Sequence, residues 1–130
     1  MLRACGRRRV VSHSSYLQLF LLTVLLFLIA GCNAERRKSD AELGLSPQQA
    51  AGRRVYGRHC ERCHEAYSSK DLQGPSLKHV YRKPYLPSGA PANDDRVTDV
   101  IKYGRAKMPG FGPVLTQQQI DDLIAYLHTL

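Results

Sequence analysis

Cys60-Glu61-Arg62-Cys63-His64 is the stretch on which the reading of this 130-residue chain turns. If the helix predicted upstream runs into it, positions i and i+3 share a face and both thiols point the same way, with His64 at i+4 from Cys60. Three chemistries use such a pattern. A redox dithiol needs its C-x-x-C beside a βαβ pattern, and no strand-rich run precedes Cys60. A zinc site needs a fourth ligand of matching type, and the chain has neither a second C-x-x-C nor an H-x-x-x-H. Two thiols followed at once by an imidazole match the attachment pattern of a c-type haem, with the histidine as axial ligand. Given one cysteine, this composition places the second cysteine and the histidine at those offsets about once in a thousand by chance.

Working outward, Ser46-Pro47-Gln48-Gln49 has an N-cap residue, proline at the first helical position and glutamine at N3. That is a helix start with a capping box, and it predicts a helix carrying Ala51, Val55 and Tyr56 inward toward the cysteine pair. Asn93-Asp94-Asp95 predicts a second helix through Val97, Val100 and Ile101 that stops at Gly104. Thr116-Gln117-Gln118-Gln119 opens a third, with Asp121 and Asp122 near its positive end and an apolar stripe of Ile120, Leu123, Ile124 and Leu127. Between them, Tyr81 to Ala92 is rich in proline and glycine and reads as an irregular loop, in which Tyr81 and Tyr85 are as consistent with ordinary loop packing as with lining a pocket.

Upstream, residues 1–15 are basic and polar, and Leu19 to Ala30 is apolar apart from Thr23. A run of that length fits a signal-peptide core and falls short of the roughly 20 residues that a spanning helix uses. It ends Leu28-Ile29-Ala30-Gly31-Cys32, which resembles the lipobox of bacterial lipoprotein signal peptides. The resemblance implies cleavage after residue 31, lipidation of Cys32 and membrane attachment by more than one acyl chain. Asn33, rather than an aspartate, follows the cysteine, so the outer membrane is slightly favoured over the inner one on the periplasmic side. Residues 33–45, NAERRKSDAELGL, are charged and lack helical periodicity, and together with Cys32 they read as a flexible tether. As a coil it holds the domain on the order of 20 Å from the membrane, with a taut limit of roughly 45 Å. The expected organisation is therefore 1–31 signal peptide, 32–45 tether and 46–130 domain.

Residues 46–130 resemble a class I cytochrome c, on features beyond the C-x-x-C-H. Gly52 and Tyr56 stand eight and four residues before Cys60, as do the glycine and aromatic that let the first helix of that family cross the last. Leu123 and Tyr126 resemble their packing partners. Gly74-Pro75-Ser76-Leu77 is similar to the family's G-P-x-L turn, and the resemblance implies that the Pro75 carbonyl accepts the ring N–H of His64. Lys107-Met108-Pro109-Gly110-Phe111 resembles the M-P-x-F loop that supplies an axial methionine. The implied fold is all-α, three to five helices around one covalently bound haem c, held by Cys60, Cys63, His64, Met108 and Pro75, with His64 and Met108 on the iron. His59, His79 and His128 are the rivals for the sixth position.

Charge narrows the partners. The chain carries 19 Lys and Arg against 11 Asp and Glu, and removing residues 1–31 takes away four arginines and no acid, leaving a formal +4. That mild excess, with no clustered basic and aromatic stripe, gives no support to nucleic acid binding. Lys78, Arg82, Lys83, Lys102, Arg105 and Lys107 flank the expected haem edge and suit an acidic docking surface on a redox partner, donor or acceptor. The expected activity is single-electron shuttling, not enzymatic turnover. Two alternatives stay open: a haem enzyme or gas sensor with an open sixth site, and an electron-entry subunit of a larger oxidoreductase complex.

Overall fold

The computed structural model describes residues 13–29 and 34–130. The described residues divide into two units at the boundary between Ala34 and Glu35. In the first, helix α1 spans His13–Ile29 and contains most of the apolar run. No helix among the described residues is long and apolar enough to cross a membrane. Ala30, Gly31 and Cys32, and hence the expected cleavage and lipidation positions, lie outside the described residues.

The second unit is built on helices α3 (Pro47–His59), α4 (Asp94–Tyr103) and α5 (Gln117–Leu127), after a short α2 (Ala34–Arg37). Among the described residues no strand forms, only the isolated bridges Tyr85–Pro91 and Arg105–Met108. The fold is the small all-helical one that the sequence predicts. Both capping boxes are present: Ser46 accepts from the Gln49 N–H while the Gln49 side chain accepts from the Ser46 N–H, and Thr116 and Gln119 repeat the exchange. Each cap contributes about 1 kcal/mol. Asn93 caps α4 through the Arg96 N–H.

The crossing of α3 over α5 organises the core. Gly52 makes it possible: a Cβ there would stand 2.5 Å from the Asp122 carbonyl carbon and 2.8 Å from the Tyr126 Cβ. One turn on, the Tyr56 and Tyr126 rings meet with centroids 5.6 Å apart at a tilt of 51°, an aromatic pairing that adds about 1 kcal/mol beyond its buried area. Val55, Ile120, Leu123 and Leu127 fill the seam, and Val97 and Ile101 of α4 and the terminal Leu130 complete the buried cluster.

Two features depart from the sequence reading. Helix α3 stops at His59, so the cysteine pair lies on a hydrogen-bonded turn, not on a helix. The turn keeps helix-like closeness because the Cys63 and His64 N–H groups both donate to the Cys60 carbonyl, each at 2.9 Å. The expected flexible tether is also ordered from Glu35 onward. Arg36 pairs with Glu61 and Glu65, Arg53 pairs with Asp40 at 2.8 Å, and Leu45 packs against the core. The charge that suggested solvated chain is matched by opposite charge on the folded domain, which local sequence does not reveal.

Candidate haem site

The loop from Cys60 to Leu77 is folded back on itself by its own backbone. The Gly74 N–H donates to the Cys63 carbonyl at 2.9 Å and the Leu77 N–H to the Glu65 carbonyl at 2.8 Å. Ser76, buried, ties down the return strand: its N–H donates to Asp71 and its hydroxyl to the Ser68 carbonyl. From α3 the Tyr56 hydroxyl donates to the His64 carbonyl. That contact, absent from the sequence reading, links the helix crossing directly to the histidine.

His64 is buried. Its Nδ1 stands 2.7 Å from the Pro75 carbonyl oxygen, and since a carbonyl can only accept, Nδ1 carries the proton and Nε2 keeps its lone pair. Nε2 takes no hydrogen bond among the described residues. The ring lies flat against Gly74, where a Cβ would come within 2.8 Å of Nδ1 and 2.9 Å of Nε2. An oriented imidazole with a protonated back nitrogen and a vacant front one is the donor form that an axial ligand requires.

Cys60 and Cys63 are free thiols, both half-buried. Burial, and next the neighbouring Cys63, push the Cys60 thiol up to about 12, so it stays protonated at neutral pH. A reactive dithiol needs the opposite shift, and the redox-dithiol reading loses its basis. No group of three or more metal-ligating His, Cys, Asp or Glu side chains occurs among the described residues. Two free thiols three residues apart suit thioether attachment, in which each S–H would add across a vinyl group of the haem with no change in redox state. The donor set therefore fits a covalently held haem.

Met108 stands half-buried on the connection from α4 to α5. Arg105 and Met108 exchange both backbone hydrogen bonds, at 3.0 and 2.9 Å, around Ala106 at φ 51. Gly104 at φ 74 begins the turn, and a Cβ there would lie 2.6 Å from the Gly110 nitrogen. The loop then returns along the end of α4, the Phe111 N–H on the Ile101 carbonyl and the Gly112 N–H on the Lys102 carbonyl. Phe111 meets His59 edge-on with centroids 5.9 Å apart, so the methionine loop touches the residue next to Cys60. The structure thus brings Cys60, Cys63, His64 and Pro75 into one hydrogen-bonded loop and adds the Met108 loop through Phe111. No direct contact between Met108 and His64 is seen.

The other histidines are engaged elsewhere. His79 places both its N–H and its Nδ1 on the Leu130 carbonyl, and His128 bonds Asp94 at 2.7 Å and stacks on Tyr81 at 3.8 Å. Tyr85 is exposed and Tyr81 is held by that stack.

A helical domain with a C-x-x-C-H turn, an oriented histidine and a glycine-mediated crossing of its first and last helices defines a small c-type cytochrome. Residues 47–127 match the family described as cytochrome c oxidase, cbb3-type, subunit III. The chain is also similar to cytochrome c6 of Rippkaea orientalis, 31% identical over 83 residues that cover 64% of this chain and 71% of that protein. The chain belongs to this cytochrome c family, and with membership come covalently bound haem c and haem-based electron transfer.

Proposed function

We propose that the chain is a membrane-tethered single-electron carrier in which Cys60 and Cys63 hold one haem c and His64 and Met108 ligate its iron. The observation that carries this reading is the 2.7 Å contact of His64 Nδ1 with the Pro75 carbonyl, which aims Nε2 outward as an electron-pair donor and raises its basicity. Met108 is supported by its place in the M-P-x-F-like loop, which Phe111 brings against His59 beside Cys60, and by count, since the only other methionine is Met1. A thioether ligand favours ferrous iron and raises the reduction potential. The bound iron supplies one-electron chemistry, and with both axial positions filled from the protein no site is left for substrate.

Lys102, Arg105 and Lys107 surround the Met108 turn, and Tyr103 beside them is 79% exposed. Cationic side chains around an exposed aromatic suit docking on an acidic redox partner. Attachment through a lipidated Cys32 on the periplasmic side is part of the same proposal.

The test is a pyridine haemochrome assay on denatured protein, which should show covalent haem; protein without it overturns the reading. The oxidised native protein should show the absorption band of methionine-ligated iron toward the red end of the spectrum. Rapid carbon monoxide binding by the reduced protein would instead indicate an open site and a sensor or enzyme. Mass spectrometry of the mature N-terminus tests Cys32. A second reading, an electron-entry subunit of a larger oxidoreductase, is favoured by the description of the matching family; isolation from membranes together with such a complex would support it.

A further inference from the structure

The Arg36 guanidinium spans the haem-attachment turn. Its Nη1 lies 3.1 Å from Glu61 Oε1 and its Nη2 lies 3.0 Å from Glu65 Oε2. Glu61 sits between the two cysteines and Glu65 directly follows His64, so one planar fork grips the motif on both sides. The two carboxylates are not equivalent. The Glu65 side chain is only 12% exposed, against 39% for Glu61, and among the described residues Arg36 is the only cation paired with either. A nearly buried carboxylate needs a partner, because an uncompensated buried charge is strongly disfavoured.

The strap that presents Arg36 is itself held. Arg53 of α3 donates to the Arg36 carbonyl at 3.3 Å and pairs with Asp40 at 2.8 Å, while Arg54 approaches Asp40 at 3.9 Å. The turn from Ser39 to Leu45 closes on its own backbone, with the Leu45 N–H on the Asp40 carbonyl at 3.0 Å. Arg36 is therefore delivered by an ordered segment that packs against the core through Leu45.

We propose that Arg36 is a positioning residue of the haem centre: its fork fixes the Cys60–Glu65 turn and cancels the negative charge of Glu65 beside the iron ligand, so that it sets the reduction potential. The inference rests on His64 ligation as proposed above. A negative charge near the iron stabilises the ferric form, and its cancellation returns the balance toward ferrous. The planar fork matters because a lysine ammonium would keep the charge but not reach both carboxylates in one geometry.

The experiment is redox titration of the full haem-loaded chain in four forms: wild type, Arg36→Gln, Glu65→Gln and the double variant. Arg36→Gln is expected to lower the ferrous-to-ferric ratio at fixed potential about threefold, a downward midpoint shift of about 28 mV at 59 mV per decade. Glu65→Gln is expected to shift the midpoint upward, and the double variant to return close to wild type. A merely structural strap predicts a different pattern, with the double variant at least as low as Arg36→Gln. That pattern, or an unmoved midpoint in Arg36→Gln, overturns the proposal. If Arg36→Gln fails to load haem, Glu65→Gln decides alone, and a midpoint that stays or falls overturns it. Absence of covalent haem in the wild type would instead count against the parent reading.

Discussion

His64 donates its ring N–H to the Pro75 carbonyl across 2.7 Å, and the ring's face rests on Gly74. The carbonyl fixes the tautomer and the glycine fixes the plane. Gly74→Ala places a methyl where the imidazole stands, so the ring must tilt or the loop must move. The expected outcome is a loss of stability of about 1–3 kcal/mol together with reduced covalent haem per polypeptide. Absorption spectra of purified variant and wild type at equal protein concentration check this, and equal haem content would refute it.

Gly52→Ala addresses the helix crossing. The added carbon would overlap the Asp122 carbonyl and press on Tyr126, both in the rigid interior. Backbone cannot yield as a flexible side chain would, so the cost is expected near the upper end for overpacking, about 3 kcal/mol. Urea denaturation should show a much lower midpoint with an unchanged slope. Gly57→Ala, on the exposed side of the same helix, is the control: only the Glu61 carboxylate, at 3.7 Å, would neighbour the new carbon. It is expected to be neutral or mildly stabilising, since alanine is the better helix former.

Alkaline stability should depend on the core tyrosines. Burial, first, and then the hydroxyl of Tyr67 raise the Tyr126 phenol well above its ordinary value of 10.0. Burial raises Tyr56 and Tyr81 in the same direction, reinforced by Glu61 and Asp94 respectively. Above pH 10 the unfolded chain releases phenolic protons that the native state retains, so it binds fewer protons and stability falls as pH rises. Below the unfolded value the contribution is complete and the profile is flat. Urea midpoints measured from pH 8 to 11 should therefore decline only above about pH 9.5, and Tyr126→Phe should make the decline shallower. A decline of equal steepness in that variant would refute the assignment.

The elements that the sequence made legible are those whose determinants are local. Ser46 with Gln49 and Thr116 with Gln119 are three residues apart, and their reciprocal hydrogen bonds follow from spacing alone. Pro75 and Gly52 are legible only through likeness to a family pattern; the Pro75 carbonyl takes the His64 ring N–H and Gly52 lies where α3 crosses α5. The determinants that escaped are distant in sequence. Arg36 meets Glu65 across 29 positions, and nothing in NAERRKSD signals which carboxylates it will find. The Tyr56 hydroxyl on the His64 carbonyl is similar: the ring was legible as a packing residue, its polar end was not. Helix α3 ending at His59, with the cysteines on a turn, reflects a choice between helix and turn that spacing of i, i+3 and i+4 cannot separate.

Ala106 holds a positive φ of 51 with a Cβ to accommodate, a conformation that costs an L-residue roughly 1–2 kcal/mol. Ala106→Gly relieves it at the expense of a freer unfolded chain. The net expectation is a gain of about 0.5 kcal/mol, read as a higher urea midpoint, with the spectrum of the iron centre unchanged. A fall in stability would mean that the Ala106 methyl makes contacts worth more than its strain.

The Met108 loop takes its hydrogen bonds from carbonyls that α4 leaves unsatisfied at its end, those of Ile101 and Lys102, before Leu115 enters the core. Chain length between Gly104 and Gly112 is therefore a fixed dimension, set by where a helix runs out and not by the reach of a side chain to iron. One residue inserted there shifts Phe111 and Gly112 off both acceptors at once. From Lys83 to Ala92, by contrast, the turn closes on its own backbone and, among the described residues, takes no backbone hydrogen bond from a helix end.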